Sequence, residues 1–370
     1  MAVARQIIDR ETIKSTFSRP RGNPASTRRS VRPLVSKYVE DISCVNFEIA
    51  AASWKTSKTM SATRLRETIT ECLADVLSDS VNAQRKALRT LASLTKVSPQ
   101  NRSLLAQTDG VVSTLLTLTK ISSSIIRILA LSILFKLSLN PDLKWNLAEM
   151  ETIHLLNSII LSTSSPEINR LVCSLICSLA MLDKNKAKFG VAGTVQVLVS
   201  AISGPRCPAS HHLLSSLAEL VQLHGNCTVA VRSGAVQVLI GVVESTDGED
   251  LAGTSLAVLG HLARFNEGLN ALIRTDQIVS SMLSVLRGRC ILSKEGAAEI
   301  LLRLFDESEG CVRDALRLPE FSSVLADISV RGSSKAREKA NQLLKKMVDA
   351  NLDPYTDGNS LFLPWYQRGC

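Results

Sequence analysis

A leucine-rich run of residues occurs six times along this chain at nearly constant spacing, and this repeat limits the possible folds more than any other feature. The runs end in a set of reference leucines, which are Leu94, Leu137, Leu179, Leu220, Leu262 and Leu304. Successive reference leucines are 43, 42, 41, 42 and 42 residues apart. A period of this length without strand-like alternation is typical of stacked helical arrays, in which each unit packs only on its neighbours. We therefore expect an all-α solenoid.

Each repeat shows three helical segments, of which the first is short. A polar link such as Asn140-Pro141 follows a reference leucine, and a short helix then ends in a turn that glycine often marks. An apolar second helix comes next, and another loop leads to the helix that carries the following reference leucine. The turn glycines are Gly110, Gly193 and Gly234, and the second helices after them are predicted over 112–119, 194–202 and 235–243.

Three helices per unit, the first of them short, is the plan of armadillo repeats, whereas two would indicate HEAT repeats. The segments 104–118 (LLAQTDGVVSTLLTL) and 229–240 (VAVRSGAVQVLI) resemble the armadillo signature. This resemblance covers about residues 61–350. It implies an armadillo-type right-handed α-solenoid superhelix.

The Arg-Ser-Gly-Ala-Val segment at 232–236 and the last helix also resemble the armadillo region of plant U-box ubiquitin ligases. The last helix is predicted to turn one side inward, as a capping unit must. Its inward residues are Ala336, Ala340, Leu343, Leu344 and Met347. In that family the array recruits partners, often receptor-like kinases, and a separate U-box engages the ubiquitin-conjugating enzyme. Residues 1–60 contain no segment of the Cys-Pro-Ile or Asp-Pro-Val type, so ligase activity does not carry over.

The positive charge of the chain is concentrated at its start. The net charge is +9, and residues 1–37 hold nine Lys and Arg against two acids. We divide the chain into a basic region 1–60 that is expected to be disordered, an array of about six to seven units over 61–350, and a short tail over 351–370.

The densest basic cluster of the first region is Arg28, Arg29 and Arg32. Four interpretations of it stay open: a solvated extension, a nuclear-import-like address, an organelle transit peptide, and a phosphate-binding arm. Specific recognition of nucleic acid is disfavoured, because no aromatic residues are interleaved with the basic ones for base stacking.

The third helices of armadillo proteins line a concave groove, and the sequence predicts which residues lie there. Positions one and five before each reference leucine are four residues apart and share one helix side, which we expect to be exposed. The predicted partner-binding residues are Arg89, Ser93, Ser132, Lys136, Ser174, Ser178, Ser215, Glu219, His261, Glu299 and Arg303. Importins and catenins carry Asn and Trp at such positions to clamp an extended peptide, and these residues are neither. We expect a small, serine-lined groove of mixed charge that accepts a helix or a folded domain, with the tails or a convex face as alternatives.

The sequence gives no support for catalysis, a metal or a cofactor. It contains no Gly-x-Ser-x-Gly, no phosphate-binding loop and no His-Glu-x-x-His. Cys207, His211, His212, His224 and Cys227 are the residue types that bind zinc. However, His212 and His224 are placed on one predicted helix about 18 Å apart, so a zinc site is not expected.

The compartment is predicted from the absence of export signals and from the cysteines. The most apolar stretch, 125–139, is interrupted by Arg127 and Lys136 and is too short for a membrane span. The nine cysteines are scattered, which is typical of a reducing compartment. We expect the cytoplasm or the nucleus, with organelle targeting by the basic start as the alternative.

These observations predict a non-catalytic scaffold or adaptor that binds a partner protein in the groove of the array. The alternative is a component of ubiquitin transfer, either a relative that lost its U-box or a substrate adaptor for a plant U-box ligase. The expected partners are therefore proteins, with a kinase or a ubiquitin-pathway protein as the classes that the resemblance implies.

Overall fold

The computed structural model describes residues 62–162, 165–245 and 249–351, and within these ranges all regular structure is helical. These residues belong to the larger of two units into which the chain divides, Asn46–Cys370. The predicted basic region 1–60, with Arg28, Arg29 and Arg32, lies outside the described residues, as does the tail from residue 352.

Twenty α-helices and one 3-10 turn follow one another in the described ranges. The first eight elements are α1 (Ala62–Val76), α2 (Val81–Val97), α3 (Pro99–Gln107), α4 (Val111–Leu118), α5 (Ser124–Ser138), the 3-10 turn Pro141–Leu143, α6 (Lys144–Leu147) and α7 (Met150–Ser162). The next six are α8 (Pro166–Ala180), α9 (Asp183–Val191), α10 (Thr194–Ser203), α11 (Ser210–Leu220), α12 (His224–Arg232) and α13 (Ala235–Glu244). The last seven are α14 (Glu249–Leu262), α15 (Asn266–Ile273), α16 (Ile278–Arg287), α17 (Ile291–Glu307), α18 (Glu309–Arg317), α19 (Phe321–Arg331) and α20 (Ser334–Asn351).

The described helices form six complete three-helix units, from α3 to α20, which the pair α1 and α2 precedes. The third helices are α2, α5, α8, α11, α14, α17 and α20, and each packs against the third helix of the next unit. The five reference leucines from Leu137 to Leu304 are fully buried between them. Leu94 is only half-buried, because α2 is preceded by α1 alone rather than by a complete unit.

Turn chemistry places the breaks between the helices where the sequence predicts them. Gly110, Gly193 and Gly234 adopt left-handed backbone conformations, with φ of 79°, 78° and 79°, immediately before second helices. Glycine adopts this conformation without the clash that a Cβ atom would cause. At the start of α3, Ser98 accepts a hydrogen bond from the Asn101 backbone N–H, and proline occupies the first helical position.

Buried asparagines join two of the first helices, α9 and α12, to the helices around them. The Asn226 Nδ2 donates to the carbonyl oxygens of Leu220, at 2.9 Å, and of Lys186, at 3.0 Å. The Leu220 carbonyl ends α11, the third helix of the preceding unit, and the Lys186 carbonyl belongs to α9, the first helix of that unit. Asn185 makes the same two kinds of bond one unit earlier. These bonds tie the first helix to the preceding unit and satisfy the buried amide N–H groups of the two asparagines.

Replacing Gly190 by alanine should break this arrangement at Asn226. A Cβ atom at position 190 would lie 2.0 Å from the Asn226 Oδ1, and the two bonds from Nδ2 prevent the buried amide from rotating away. We expect a loss of about 1–3 kcal/mol in the free energy of unfolding, the usual cost of orphaned buried polar groups. Urea denaturation checks this, with Gly225→Ala as the control, since nothing lies within 4 Å of its new Cβ. Equal stability of both variants would contradict the role given to Asn226.

Candidate partner-binding groove

The predicted binding side of each third helix is defined by its distance from the reference leucine. We define the groove face as six positions on each third helix. Five of them lie twelve, nine, five, two and one residues before the reference leucine, and the sixth lies two residues after it; all six fall on one side of a helix. In α20 the residue that corresponds to the reference leucine is Met347, which lies 43 positions after Leu304.

An open cleft between the last two third helices shows that this side faces solvent. The cleft has a volume of about 570 Å³ and lies between α17 and α20. All of its lining side chains come from four of the groove-face positions, as Glu299, Asp306, Gln342 and Asp349 illustrate. The predicted residues Glu299 and Arg303 both line it, and both are half-buried.

The predicted groove residues differ in their exposure along the array. Arg89 and Ser93 are exposed on α2, and Ser132, Lys136, His261, Glu299 and Arg303 are half-buried. The prediction of an exposed side is wrong for the middle of the array, where Ser174, Ser178, Ser215 and Glu219 are only 1–6% exposed.

Lysines from the first helices cover two of these central positions, Ser178 and Glu219. The Lys144 Nζ donates to the Ser178 carbonyl oxygen at 2.5 Å, and the Ser178 Oγ is 2.9 Å from the Ser138 Oγ. Burial lowers the pKa of the Lys144 ammonium. Helical periodicity predicts the side on which Ser178 lies, but it cannot show that a side chain from another helix reaches across that side.

The second covering lysine forms a buried ion pair with Glu219. The Lys186 Nζ lies 2.9 Å from the Glu219 Oε1 and 2.7 Å from the Asp183 Oδ1. The side chains of Lys186 and Glu219 are 3% and 8% exposed, whereas that of Asp183 is 72% exposed. The Gln222 Nε2 also donates to the Glu219 carboxylate, at 3.1 Å. Glu219 therefore belongs to the packing between α9 and α11, the first and third helices of its unit, rather than to an open groove.

The groove face at the N-terminal end of the array is basic. It carries Arg85, Arg89 and Lys96 on α2 and Lys136 on α5, and no ion pair to any of these four forms within the described residues. The Lys136 Nζ donates to the Ala92 carbonyl oxygen at 3.3 Å. Burial, together with the nearby Lys96 charge, lowers the pKa of Lys136 to about 8.

The groove face at the C-terminal end is of mixed charge, and four of its charges, those of Glu299, Arg303, Asp306 and Lys346, are in ion pairs. Glu299 lies 2.9 Å from Arg303 and 2.7 Å from Lys339, and Asp306 lies 2.5 Å from Lys346. Burial alone would raise the pKa of Glu299, but the hydrogen bond and charge of Lys339, with Arg303, hold that pKa below its usual value. The predicted mixed charge thus occurs at this end, where it is compensated internally.

The remaining candidate residues do not form a chemical centre in the described part of the chain. Burial, with Arg264 nearby, lowers the pKa of His261 to about 4, so its imidazole is neutral at physiological pH. No group of three or more His, Cys, Asp and Glu within residues 62–162, 165–245 and 249–351 could hold a metal ion. Among the helices described, no single one is long and apolar enough to cross a membrane, and two sharply bent pairs meet those criteria only jointly.

Two curated plant proteins are similar to part of the chain. One is the U-box domain-containing protein 1 of Medicago truncatula, 33% identical over 118 residues, which cover 31% of this chain and 17% of that protein. The other is the U-box domain-containing protein 17 of Arabidopsis thaliana, 27% identical over 121 residues, which cover 32% and 16%. The predicted resemblance to plant U-box proteins is thereby confirmed for about a third of the chain, and the match spans about a sixth of these relatives. No protein-family model matches the chain.

Solved structures with little sequence identity share the fold. An engineered protein has a TM-score of 0.64 at 18% identity, covering 79% of this chain and 72% of its own. A designed armadillo repeat protein has a TM-score of 0.56 at 16% identity, covering 65% and 99%. A computationally designed armadillo repeat protein for modular peptide recognition has a TM-score of 0.57 at 16% identity, with the same coverage. The predicted all-α armadillo-type solenoid is confirmed.

Proposed function

We propose that the array is a non-catalytic scaffold that binds a partner protein along the groove face of its third helices. The observation that carries this proposal is the open cleft between α17 and α20, whose lining comes entirely from groove-face positions. Partner binding also agrees with the armadillo fold, since one of the similar designed proteins is described as made for modular peptide recognition.

The exposure of the groove face divides the proposed contact surface in two. The central positions Ser178 and Glu219 are covered by Lys144 and Lys186, so they offer a partner little accessible surface. The two ends are accessible and differ in charge. We therefore expect a partner to be held at the two ends, with the middle of the array serving as a rigid spacer.

A role in ubiquitin transfer is the second candidate, and the similarity to two plant U-box proteins favours it. In this version the scaffold presents a kinase or a ubiquitin-pathway protein as an adaptor, in the cytoplasm or the nucleus. A ubiquitination assay with an added plant U-box ligase separates the candidates, because an adaptor should increase modification of a captured partner and a scaffold outside ubiquitin transfer should not. Self-ubiquitination without added ligase would contradict the non-catalytic scaffold.

Replacing three accessible groove residues should remove partners without unfolding the array. The variant is Lys136→Ala, His261→Ala and Arg303→Ala, all half-buried on the groove face. Glu219 is left intact, because its loss would leave Lys186 without its buried partner. We expect affinity capture from plant extract, read by mass spectrometry, to lose the proteins that the wild type retains.

The control variant changes three exposed basic residues away from the groove face, Lys120→Ala, Lys184→Ala and Arg274→Ala. It should capture the same proteins as the wild type, and both variants should melt cooperatively. If the groove variant captures the same set as this control, the groove face is not the binding surface and the proposed function fails.

A further inference from the structure

We propose that the N-terminal end of the groove face binds an acidic segment of the partner protein. This inference rests on the proposed function and specifies its partner chemistry. We call the site the basic end, defined by Arg85, Arg89, Lys96 and Lys136.

The four cations of the basic end form one continuous patch over two neighbouring helices. Arg85, Arg89 and Lys96 share one side of α2, and the outer two are separated by about 17 Å along the helix axis. Lys136 comes from α5, which packs against α2, and its Nζ reaches the Ala92 carbonyl oxygen at 3.3 Å. Packed helix axes lie about 8–10 Å apart, so a single short peptide segment can contact all four charges.

The charges of the basic end are uncompensated, unlike those at the other end of the groove face. No carboxylate pairs with them within the described ranges, whereas Glu299 and Asp306 are already paired by Lys339 and Lys346. Incoming carboxylates would pair with these cations and relieve the repulsion between like charges.

Apolar side chains beside the cations favour a protein segment over nucleic acid. Ile125 is 45% exposed and Ile128 half-buried, and both lie on the groove face of α5 in line with Lys136. The aromatic side chain on that side of α5, Phe135, is only 3% exposed, so it offers no platform for base stacking. An acidic segment with leucine-like residues matches both features. The basic region 1–37 has the same charge sign and is therefore a poor internal competitor.

The test measures binding of full-length protein to a fluorescein-labelled peptide of glutamate and leucine residues. Charge reversal at the two most exposed cations, Arg89→Glu with Lys96→Glu, should weaken binding about tenfold or more, because each lost attraction is replaced by a repulsion. The matched control is Lys335→Glu with Lys345→Glu, two exposed lysines on the groove face of α20, which should leave the affinity nearly unchanged. Wild-type binding should also weaken as salt is added.

A charge-swapped peptide shows whether the variant has lost a site or lost its fold. Lysine in place of glutamate should make the peptide bind the Arg89→Glu and Lys96→Glu variant more tightly than the wild type. Equal loss in both double variants, or no loss in either, would overturn the basic end as a site. Tighter binding of an oligothymidylate than of the acidic peptide, with the same loss on charge reversal, would assign the patch to nucleic acid instead. The proposed function survives each of these contrary outcomes if the alanine groove variant still loses its captured proteins.

Discussion

Replacing Leu179 by aspartate should unfold the middle of the array. The Leu179 side chain has no exposed surface, so the change forfeits about 1.5–3 kcal/mol of apolar burial and places a carboxylate where nothing can solvate it. The two effects together should exceed about 4 kcal/mol, which is exceptional for a single substitution. Because each unit of a solenoid is stabilised by its neighbours, the loss should spread from α8 to α5 and α11. Circular dichroism melting measures the stability, and hydrogen exchange shows where protection disappears.

Two substitutions in the same region control for the position of Leu179. Leu179→Met keeps an apolar side chain of similar volume and should cost less than about 1.5 kcal/mol. Met181→Asp places the same charge just beyond the end of α8 at a residue that is 51% exposed, and its effect should stay within about 0.5 kcal/mol. An unchanged melting temperature for Leu179→Asp would show that the reference leucines do not face the core.

Replacing Lys186 by methionine should destabilise the array more than removing its partner does. Without Lys186, the Glu219 carboxylate remains buried, and among the described residues it keeps the Gln222 amide as its hydrogen-bond donor, so the change should cost about 3–5 kcal/mol. Without Glu219, the Lys186 ammonium keeps Asp183 at 2.7 Å, so Glu219→Leu should cost less. Urea denaturation of both single variants measures the asymmetry.

The double variant separates the ion pair from the packing around it. Lys186→Met combined with Glu219→Leu removes both charges of the pair, and apolar replacements of a buried pair are often neutral or stabilising. We expect it to recover most of the stability that Lys186→Met loses. If the two single losses simply add in the double variant, the two side chains do not interact, and the cover over the middle of the groove face needs another explanation.

The fold could be predicted from the sequence because its signals are local and repeated. The second helices predicted over 112–119, 194–202 and 235–243 occur as Val111–Leu118, Thr194–Ser203 and Ala235–Glu244. The inward side of the last helix is confirmed at Ala336, Ala340, Leu343 and Met347. Leu344 is only half-buried, since no further unit of the described array covers it.

The site was predicted less well, because its character depends on contacts between different helices. Helical periodicity places Ser178 and Glu219 on the right helix side, but both are contacted by lysines from the first helix of their own unit. The sequence does contain an indication of these lysines, because Lys144 and Lys186 are 42 residues apart, which is the period of the array. The sequence prediction used two of the six groove-face positions. Using all six would also have identified Arg85 and Lys96.

Amine-reactive cross-linking of the full-length protein to a captured partner tests most directly whether the groove face holds that partner. Cross-links should form from the exposed groove-face lysines Lys96, Lys335 and Lys345, and they should leave Lys120 and Lys184 unmodified by the partner. Cross-links confined to Lys120 and Lys184 would place the partner on the other side of the array and contradict the account.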